Sequence, residues 1–480
     1  MKARYRPYNT EEGYFTLIDP RDIKNHNPLL KAIDSFVEEH VSVEPFSQKV
    51  KNEIEGAPAV HPRMMLKILF YSYAKGVYSS REMEDRLRWD PNYIYLSANQ
   101  IVDHSTICNF ILKYGEQIKE IFSRLVYVMA KMGYVTMDFV AVDGTKVRAD
   151  AGMKFTGNVK EFRQKRDRIE KKIEKIMHHT TNEAPESKAR QEKKLDVLDK
   201  EQAKIESFLT EVEQEETPPK GKVSLTDRDA RMVKDKDSKY MGYNCQIAVD
   251  EKSHAIVGTG VFSEASNRGL LKPMIEEIRD RTGETLGRTE IGVDAGYFSS
   301  DNIRYCHEQD LDVYLPEGAG EGGVRQWKGD LIRSRDCQLE IDGNIRRLTC
   351  PGGQVMEVLE AKEDRGNYFY RFHPEKRYCR SCRLRARCHQ NAGTQKGFSV
   401  KKEYFDNLLL REKMTQKLSS EQGKKKMRDR ACLIEHVFGE TKDILKFRRF
   451  LHRGLEKVRL IWQLVCIGYN LRKMARLAYG

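Results

Sequence analysis

The chain has 480 residues, of which 39% are hydrophobic and 33% are charged, and this length predicts two to four folded units. No apolar run approaches the roughly 20 residues needed to span a bilayer, and no secretory signal opens the chain, which excludes a membrane-embedded class and predicts a cytoplasmic protein. The net charge of +13 favours a polyanionic partner such as nucleic acid, although long basic helices that only aid solubility give the same balance.

Residues 1–130 have the spacing of short amphipathic helices. Helical patterns cover 20–40 and 62–73, Ser79 with Glu82 forms a capping-box pattern, and a further helix start lies at Asp103. Short helices with interspersed arginines are typical of a helix-turn-helix-like DNA-binding domain. An all-α packing or oligomerisation domain explains the pattern equally well.

Two apolar runs end on an aspartate that is followed closely by glycine. The first, at 139–142, ends at Asp143, and the second, at 291–293, ends at Asp294. Such runs predict buried strands whose carboxyl ends carry functional side chains. Glu435 lies in a later helical pattern, and three carboxylates brought together would bind divalent metal ions.

The order of elements predicts an α/β fold with an RNase H-like mixed sheet. After the first strand, the pattern from residue 243 onward predicts four strands and two helices. Their order is strands 243–249 and 255–262, helix 269–281, strand 290–293, helix 299–309 and strand 311–315. The catalytic core therefore comprises 131–157 and 221–316, and a later helix within 401–480 supplies the third acid.

Residues 158–215 interrupt this core with two Lys- and Glu-rich segments on either side of Pro185. Their pattern predicts an antiparallel helical hairpin with a thin apolar stripe, of which Ile169 and Ile205 are examples. A solvated surface is one interpretation of the charges. An arm that clasps DNA or a partner is the other.

A second insertion, 317–400, contains half of the ten cysteines. Cys379 and Cys382 have the two-residue separation of zinc ligands, and Cys350 and Cys388 are the other thiols expected to complete a structural zinc site. Cys337, His373 and His389 are substitutes in that set. Free thiols in a β-rich insertion are the alternative interpretation.

The segment 401–480 combines basic side chains with the Glu435 helix. Arg428, Glu435 and Lys442 are spaced seven residues apart, which places them on one face of a continuous helix. The basic residues expected to contact DNA are Arg428, Arg430, Lys442, Lys446, Arg448 and Arg449. A closing amphipathic helix is predicted at 455–479. Glu440 is the nearest rival carboxylate to Glu435, but five residues separate them, which turns it off that face.

The ordered motifs resemble those of the DDE transposases of bacterial insertion sequences. The matching residues include Val142-Asp143-Gly144 with Lys146, Asp294-Ala-Gly-Tyr297, and Ile434-Glu435 with Phe438-Gly439 and Lys442. The segment 61–106 is similar to the helical leader domain of that group. Related families carry a Tyr-x2-Arg-x3-Glu-x6-Lys signature. Here Arg428 and Ala431 stand at the Tyr and Arg positions, so Arg428 or Arg430 is expected to take over the phosphate contact.

The resemblance implies metal-dependent cleavage and joining of double-stranded DNA at the element ends and the target. It implies two Mg²⁺ (or Mn²⁺) ions, with Asp143 bridging both and with Asp294 and Glu435 each holding one, while Lys442 holds a phosphate. It further implies a homodimer on DNA and a nucleoid-associated location. The alternatives are a metal-dependent nuclease without strand transfer and a catalytically silent DNA-binding protein.

Overall fold

Contacts between residues divide the chain into two units. The computed structural model describes residues 20–48, 59–179, 185–214, 221–235, 238–283, 286–318, 332, 334–364, 366–388 and 397–479. Unit 1 comprises residues 1–129 with 463–480, and unit 2 comprises residues 130–462. No helix among the described residues is long and apolar enough to cross a membrane.

Unit 1 is helical, as predicted. Its helices before the sheet are α1 Pro20–His26, α2 Pro28–His40, α3 Glu44–Ser47, α4 Pro62–Ala74, α5 Ser80–Trp89, α6 Pro91–Leu96, α7 His104–Lys113 and α8 Gly115–Lys131. Proline opens several of them, because its missing N–H is not needed in the first turn. Asp103 caps α7 by accepting bonds from the N–H groups of Ser105 and Thr106.

The capping box expected at the start of α5 does not form. Ser79 is the residue that precedes the helix, but its side chain makes no capping hydrogen bond. Glu82 instead pairs with Arg86, one turn along the helix, at 2.9 Å. The helix start was therefore predicted correctly from the pattern, whereas its bonding was not.

A mixed sheet forms the centre of unit 2. The elements in this part of the chain are β1 Phe139–Arg148, β2 Thr156–Gly157, α9 Val159–His179, α10 Pro185–Gln214, β3 Val223–Ser224, β4 Arg231–Asp235, β5 Ser238–Asp250, β6 Ile256–Phe262, α11 Leu271–Thr282, β7 Glu290–Gly292, α12 Ser300–Glu308 and β8 Val313–Tyr314. The strand order is β4-β5-β1-β7-β8, with β6 also paired to β5. β1 runs antiparallel to β5 and parallel to β7, so the predicted RNase H-like mixed sheet is confirmed.

One strand prediction was wrong at its end. The first strand does not stop at Asp143 but continues to Arg148, so Asp143 lies in its middle, opposite Ile247. Gly144, which suggested a turn, is needed for a different reason. A Cβ at that position would meet the Gln246 side-chain amide and come within 2.8 Å of Asn244 Oδ1. β4 is a strand that the sequence pattern did not reveal.

Helices α9 and α10 pack on each other as the charged hairpin. Phe162 and Phe208 meet edge to face with ring centroids 5.2 Å apart, and Ile169 and Ile205 are buried in the same small core. The tip at 180–184 lies outside the described residues. Strands β2 and β3 pair at the base, with Thr156 opposite Ser224 and Gly157 opposite Val223.

The cysteine-bearing insertion is mainly β-structure. Its elements are β9 Gln338–Asp342, β10 Ile345–Thr349, β11 Val355–Val358, β12 Lys362–Asp364, β13 Asn367–Phe372, α13 Lys376–Ser381, α14 Arg385–Cys388 and β14 Phe398–Lys401, and the helices α15 Lys402–Asp406 and α16 Leu408–Ser419 come directly after it. Two three-stranded sheets share a core that includes Leu348, Phe372 and Phe405. The glycine-rich segment at 318–323 falls almost wholly outside the described residues, as does His389.

Two further helices follow the insertion. Helix α17 spans Glu421–Gly439 and packs on β1 and β7, a π-helical turn covers Glu440–Ile444, and α18 spans Leu455–Tyr479. Trp462 of α18 is buried in unit 2 and donates from Nε1 to the Gln246 carbonyl oxygen at 3.2 Å. Because α17 packs on β1 and β7, it covers the part of the sheet that contains Asp143.

Candidate active site

Asp143 and Asp294 are brought together by the parallel pairing of β1 and β7. Ala141 is the register partner of Gly292, so two residues further along each chain Asp143 and Asp294 take equivalent positions. Both lie two residues beyond this partner pair, and the backbone of Asp294 is still extended, so the two side chains are expected on the same face of the sheet. The Asp294 carboxylate also accepts a hydrogen bond from the Gly296 N–H at 2.9 Å, which caps the turn Ala295–Tyr297.

A guanidinium lies directly against the first of these carboxylates. Arg430 of α17 donates from Nη2 to Asp143 Oδ2. The side chains of Arg430 and Asp143 are only 10% and 17% exposed, so this is a largely buried ion pair. Arg430 Nε has no hydrogen-bond partner among the described residues.

The electrostatic field of the site follows from burial and from these neighbours. Burial raises the pKa of Asp143 and outweighs the Arg430 guanidinium, which lowers it, and the nearby Asp294 raises it further. Burial lowers the pKa of the Lys146 ammonium to about 8, against the opposing attraction of Cys245, Asp143 and Asp294. Two carboxylates and a partly desolvated lysine therefore share one low-dielectric region.

A buried amide network supports this region. Tyr297 donates its hydroxyl proton to Gln246 Oε1, and burial raises the pKa of that hydroxyl well above its usual value. Gln246 Nε2 donates to Asn244 Oδ1 at 2.8 Å and to Asn267 Oδ1 at 3.1 Å. Lys146 Nζ donates to the same Asn267 oxygen at 3.4 Å. The network fixes Tyr297, three residues after Asp294, to the strand beside β1.

Glu435 is not joined to the two aspartates. It is exposed on α17, and in the described part of the chain it makes no hydrogen bond or ion pair. Five residues separate it from Arg430, which turns its side chain about 140° around the helix from the residue that faces Asp143. Glu440 is only 4% exposed and lies 4.0 Å from His436 Nε2.

Two of the four basic residues after Glu435 that were predicted to contact DNA pair with carboxylates of this chain. Lys442 lies in the π-helical turn, so the single α-helical face expected for Arg428, Glu435 and Lys442 ends at Gly439. Arg448 pairs with Asp443, and Arg449 pairs with Asp150. Arg428 and Lys446 are exposed. Phe450 N–H donates to the Arg148 carbonyl oxygen at 2.8 Å, which holds this segment against the end of β1.

The four predicted thiols line one cavity. Cys350, Cys379, Cys382 and Cys388 surround it together with apolar side chains. Gly352 leaves space for the sulfur atoms, because a Cβ there would come within 3.0 Å of Cys382 Sγ and 3.6 Å of Cys350 Sγ. Burial raises the pKa of the Cys379 thiol, and the neighbouring Cys350 and Cys382 raise it further. Soft sulfur donors around a small cavity fit Zn²⁺.

No three His, Cys, Asp or Glu side chains converge closely enough to hold a metal ion in the part of the chain that the structure describes. At the candidate active site, Asp143 and Asp294 are adjacent and Glu435 is apart from them. The thiols share a cavity without forming a closed tetrahedron.

Several residues around Asp143 were not identified from the sequence as members of the site. Gln246 and Asn267 were not singled out, and Lys146 and Tyr297 appeared only as matching motif residues. Their proximity depends on the β1–β5 register and on loops, for which no short sequence motif exists. The alternation of polar Asn244 and Gln246 within an otherwise apolar strand is the one signal that was present.

Two family comparisons agree with this architecture. The family described as Transposase DDE domain matches residues 349–475, a range that contains the four thiols, Glu435 and Lys442. The family described as Transposase domain (DUF772) matches residues 18–113 of the helical unit. No curated protein and no solved structure matches the chain. Together with an RNase H-like sheet, the two matches indicate a DDE transposase of the insertion-sequence type.

Proposed function

We propose that this transposase binds the terminal repeats of its element, cleaves the DNA there and joins the ends to target DNA. The observation that carries the proposal is the parallel pairing of β1 and β7, which places Asp143 beside Asp294. Two adjacent, half-buried carboxylates in a chain of net charge +13 suit a reaction at a phosphodiester, because carboxylates can hold metal cations against a polyanion. The reaction takes place on DNA in the bacterial cytoplasm, with at least two copies of the chain joining two ends.

Asp143 and Asp294 would hold Mg²⁺ or Mn²⁺, and we assign Glu435 as the third ligand. Hard carboxylate oxygens are the donors that Mg²⁺ prefers, and it needs few of them from the protein. When bound, two such ions activate the attacking water or 3′-hydroxyl and stabilise the leaving oxygen. Since Arg430 pairs with Asp143 Oδ2, a metal ion held by Asp143 would compete with this guanidinium for the carboxylate.

The remaining side chains position the DNA. Arg430, which lies against Asp143, would hold an oxygen of the reacting phosphate once it is displaced from that carboxylate. Lys146 adds a positive charge behind the aspartates below pH 8. Exposed Arg428 and Lys446, with Lys442, extend the cationic surface along the incoming strand.

The test is cleavage of a supercoiled plasmid that carries the element ends, with Mg²⁺ or with EDTA. We expect Mg²⁺-dependent cutting at the ends, and joining of the released ends to a second plasmid. Asp294→Asn should lose at least about 100-fold in cleavage rate, as for loss of one transition-state contact, with gel-shift binding retained. Asp301→Asn, an exposed carboxylate of α12, is the matched control and should cut normally.

The outcomes separate the alternatives. Cutting without joining would support a nuclease. Binding by wild type without any cutting would support a silent DNA-binding protein. Cutting by Asp294→Asn at the wild-type rate would remove Asp294 from the active site.

We further propose that the insertion holds a structural Zn²⁺ through Cys350, Cys379, Cys382 and Cys388. The support is the shared cavity and the absence of a side chain at Gly352. The insertion has only a small core, so a metal would supply folding free energy that packing does not.

A further inference from the structure

A second pocket beside the candidate active site has the composition of an anion site. It is lined by Arg268, Ser299, Ser300, Lys401, Glu403, Tyr404 and Arg411. The lining contains three cations, Arg268, Lys401 and Arg411, and one carboxylate, Glu403. Counting Glu317 as well, which pairs with Arg411, the pocket still carries one excess positive charge. Its volume of about 520 Å³ is far above the roughly 15 Å³ that one water molecule needs.

Arg411 gives the pocket a buried cation with unused bonding capacity. Its side chain is 5% exposed and pairs with Glu317 through Nη2, but its buried Nε has no hydrogen-bond partner. The guanidinium lies between two rings, 3.8 Å from the Tyr404 centroid and 4.8 Å from that of Phe298. Burial lowers the pKa of Arg411 to about 10, which still leaves it charged at neutral pH. An anion in this pocket would add a second charge partner to a buried guanidinium whose paired carboxylate is Glu317.

Helix α12 adds backbone donors on the same side. Ser299 is its N-cap and accepts from the Asn302 N–H at 3.1 Å, while Ser300 begins the helix within the pocket wall. The first N–H groups of a helix favour negative charge. Here this feature adds to the buried arginine and does not stand alone.

The chain limits how far the pocket can lie from Asp294. Asn302 Nδ2 donates to the Arg268 carbonyl at 2.7 Å and to the Tyr297 carbonyl at 2.6 Å, so both pocket walls are tied to the turn that follows Asp294. Five residues separate Asp294 from Ser299, which limits their separation to about 18 Å. At 3.4 Å per nucleotide along one strand, this is within about five nucleotides.

We infer that this pocket binds a backbone phosphodiester of the DNA strand that enters the active site, within about five nucleotides of the scissile phosphate. The inference rests on the proposed function. A free phosphate ion offers the same oxygen chemistry, and the experiment must distinguish the two sources. Lys401, Tyr404 and Arg411 belong to the segment that directly follows the cysteine-bearing insertion, so this contact would also make that segment part of the DNA-binding surface.

The test uses the full chain with Arg268→Gln and Lys401→Gln, both exposed positions that should not affect folding. DNA affinity is measured by fluorescence anisotropy over a range of salt, with a duplex containing the element end. Each variant should lower the slope of log K against log salt by about 0.9 and weaken binding roughly eightfold at 0.1 M salt. Lys413→Gln, the same charge change on an exposed face of α16, should leave the slope unchanged.

Ethylation interference then locates the contact. Ethylation of one phosphate within about five nucleotides of the cut should weaken DNA binding by the wild-type protein. The same ethylation should not weaken binding by Lys401→Gln. Unchanged slopes in both variants, with wild type still binding and cutting, would overturn the pocket and leave the proposed function intact. A different result would assign the pocket to a free anion. In that case inorganic phosphate would raise the melting temperature of the wild type but not of the variants, and the slope of log K against log salt would be unchanged. A wild type that neither binds nor cuts DNA overturns both proposals.

Discussion

Arg430 Nη2 donates to Asp143 Oδ2 although the two residues are 287 positions apart in the chain. The ion pair is buried between α17 and β1, and it ties the helix that carries Glu435 to the strand that carries the first aspartate. A cation from the protein itself thus pairs with a carboxylate that would hold a metal ion.

Replacing Arg430 by methionine should destabilise the protein by about 3 kcal/mol, since it leaves a buried carboxylate without its partner. Urea unfolding at pH 7 measures this loss. Mn²⁺ should restore more stability to the variant than to wild type, because the metal no longer competes with a guanidinium. Arg428→Met, two residues away and exposed, is the control with little expected change. Equal effects of Mn²⁺ on both proteins would contradict competition at Asp143.

Glu435 and Glu440 offer a second test. If Glu435 completes the site on binding DNA and metal, Glu435→Gln should reduce cleavage by at least about 100-fold and leave the thermal midpoint unchanged, since its side chain is exposed. Glu440→Gln should mainly lower the thermal midpoint, because Glu440 is buried. Cleavage rates and melting curves of both variants show which glutamate is the third acid. The reverse pattern would make Glu440 the third acid.

Removal of zinc should increase the number of thiols that react with a thiol reagent. In a zinc-loaded protein, Cys432 is the exposed cysteine and should react rapidly with a thiol reagent under native conditions. Chelation should add four reactive thiols, those of Cys350, Cys379, Cys382 and Cys388. Cys432→Ser should lose one fast thiol with or without chelator. Cys306 should stay unreactive throughout, because burial raises its pKa to about 12. No change on chelation would favour free thiols.

Lys146 should make the free energy of unfolding depend on pH. Its folded-state pKa of about 8 is below the unfolded value of 10.5, so the unfolded chain binds more protons between these values. The charge is therefore destabilising below pH 8, and this penalty fades as pH rises towards 10.5. Lys146→Met should raise the melting temperature most below pH 8, with the gain shrinking above it. Lys239→Met, at an exposed position, should show no such trend.

The sequence predicted the parts of the fold that depend on local pattern. The helices of unit 1 and the order of strands along the chain from β5 onward follow from apolar periodicity, and the RNase H-like topology predicts that Asp143 and Asp294 lie together. The end of β1 did not, because glycine after an aspartate usually marks a turn. Gly144 instead makes room for the Gln246 amide, a cross-strand contact set by the register of β5.

The site was less accessible from sequence than the fold. Arg428 and Arg430 appeared equivalent as phosphate contacts, and only the packing of α17 shows which of them faces Asp143. The π-helical turn at 440–444 likewise interrupts a face that a seven-residue spacing predicts. Arg411 carried no signal, because its buried position depends on rings contributed by two distant segments.

The paired strands β2 and β3 have a consequence for how this chain tolerates change. They bring Gly157 and Val223 side by side at the base of the charged hairpin, and the hairpin has a small apolar core of its own. A segment whose two ends meet can be lengthened, shortened or exchanged at modest entropic cost to the rest of the fold. The arm is therefore a module that evolution or an engineer can replace while β1 and β5 keep their register.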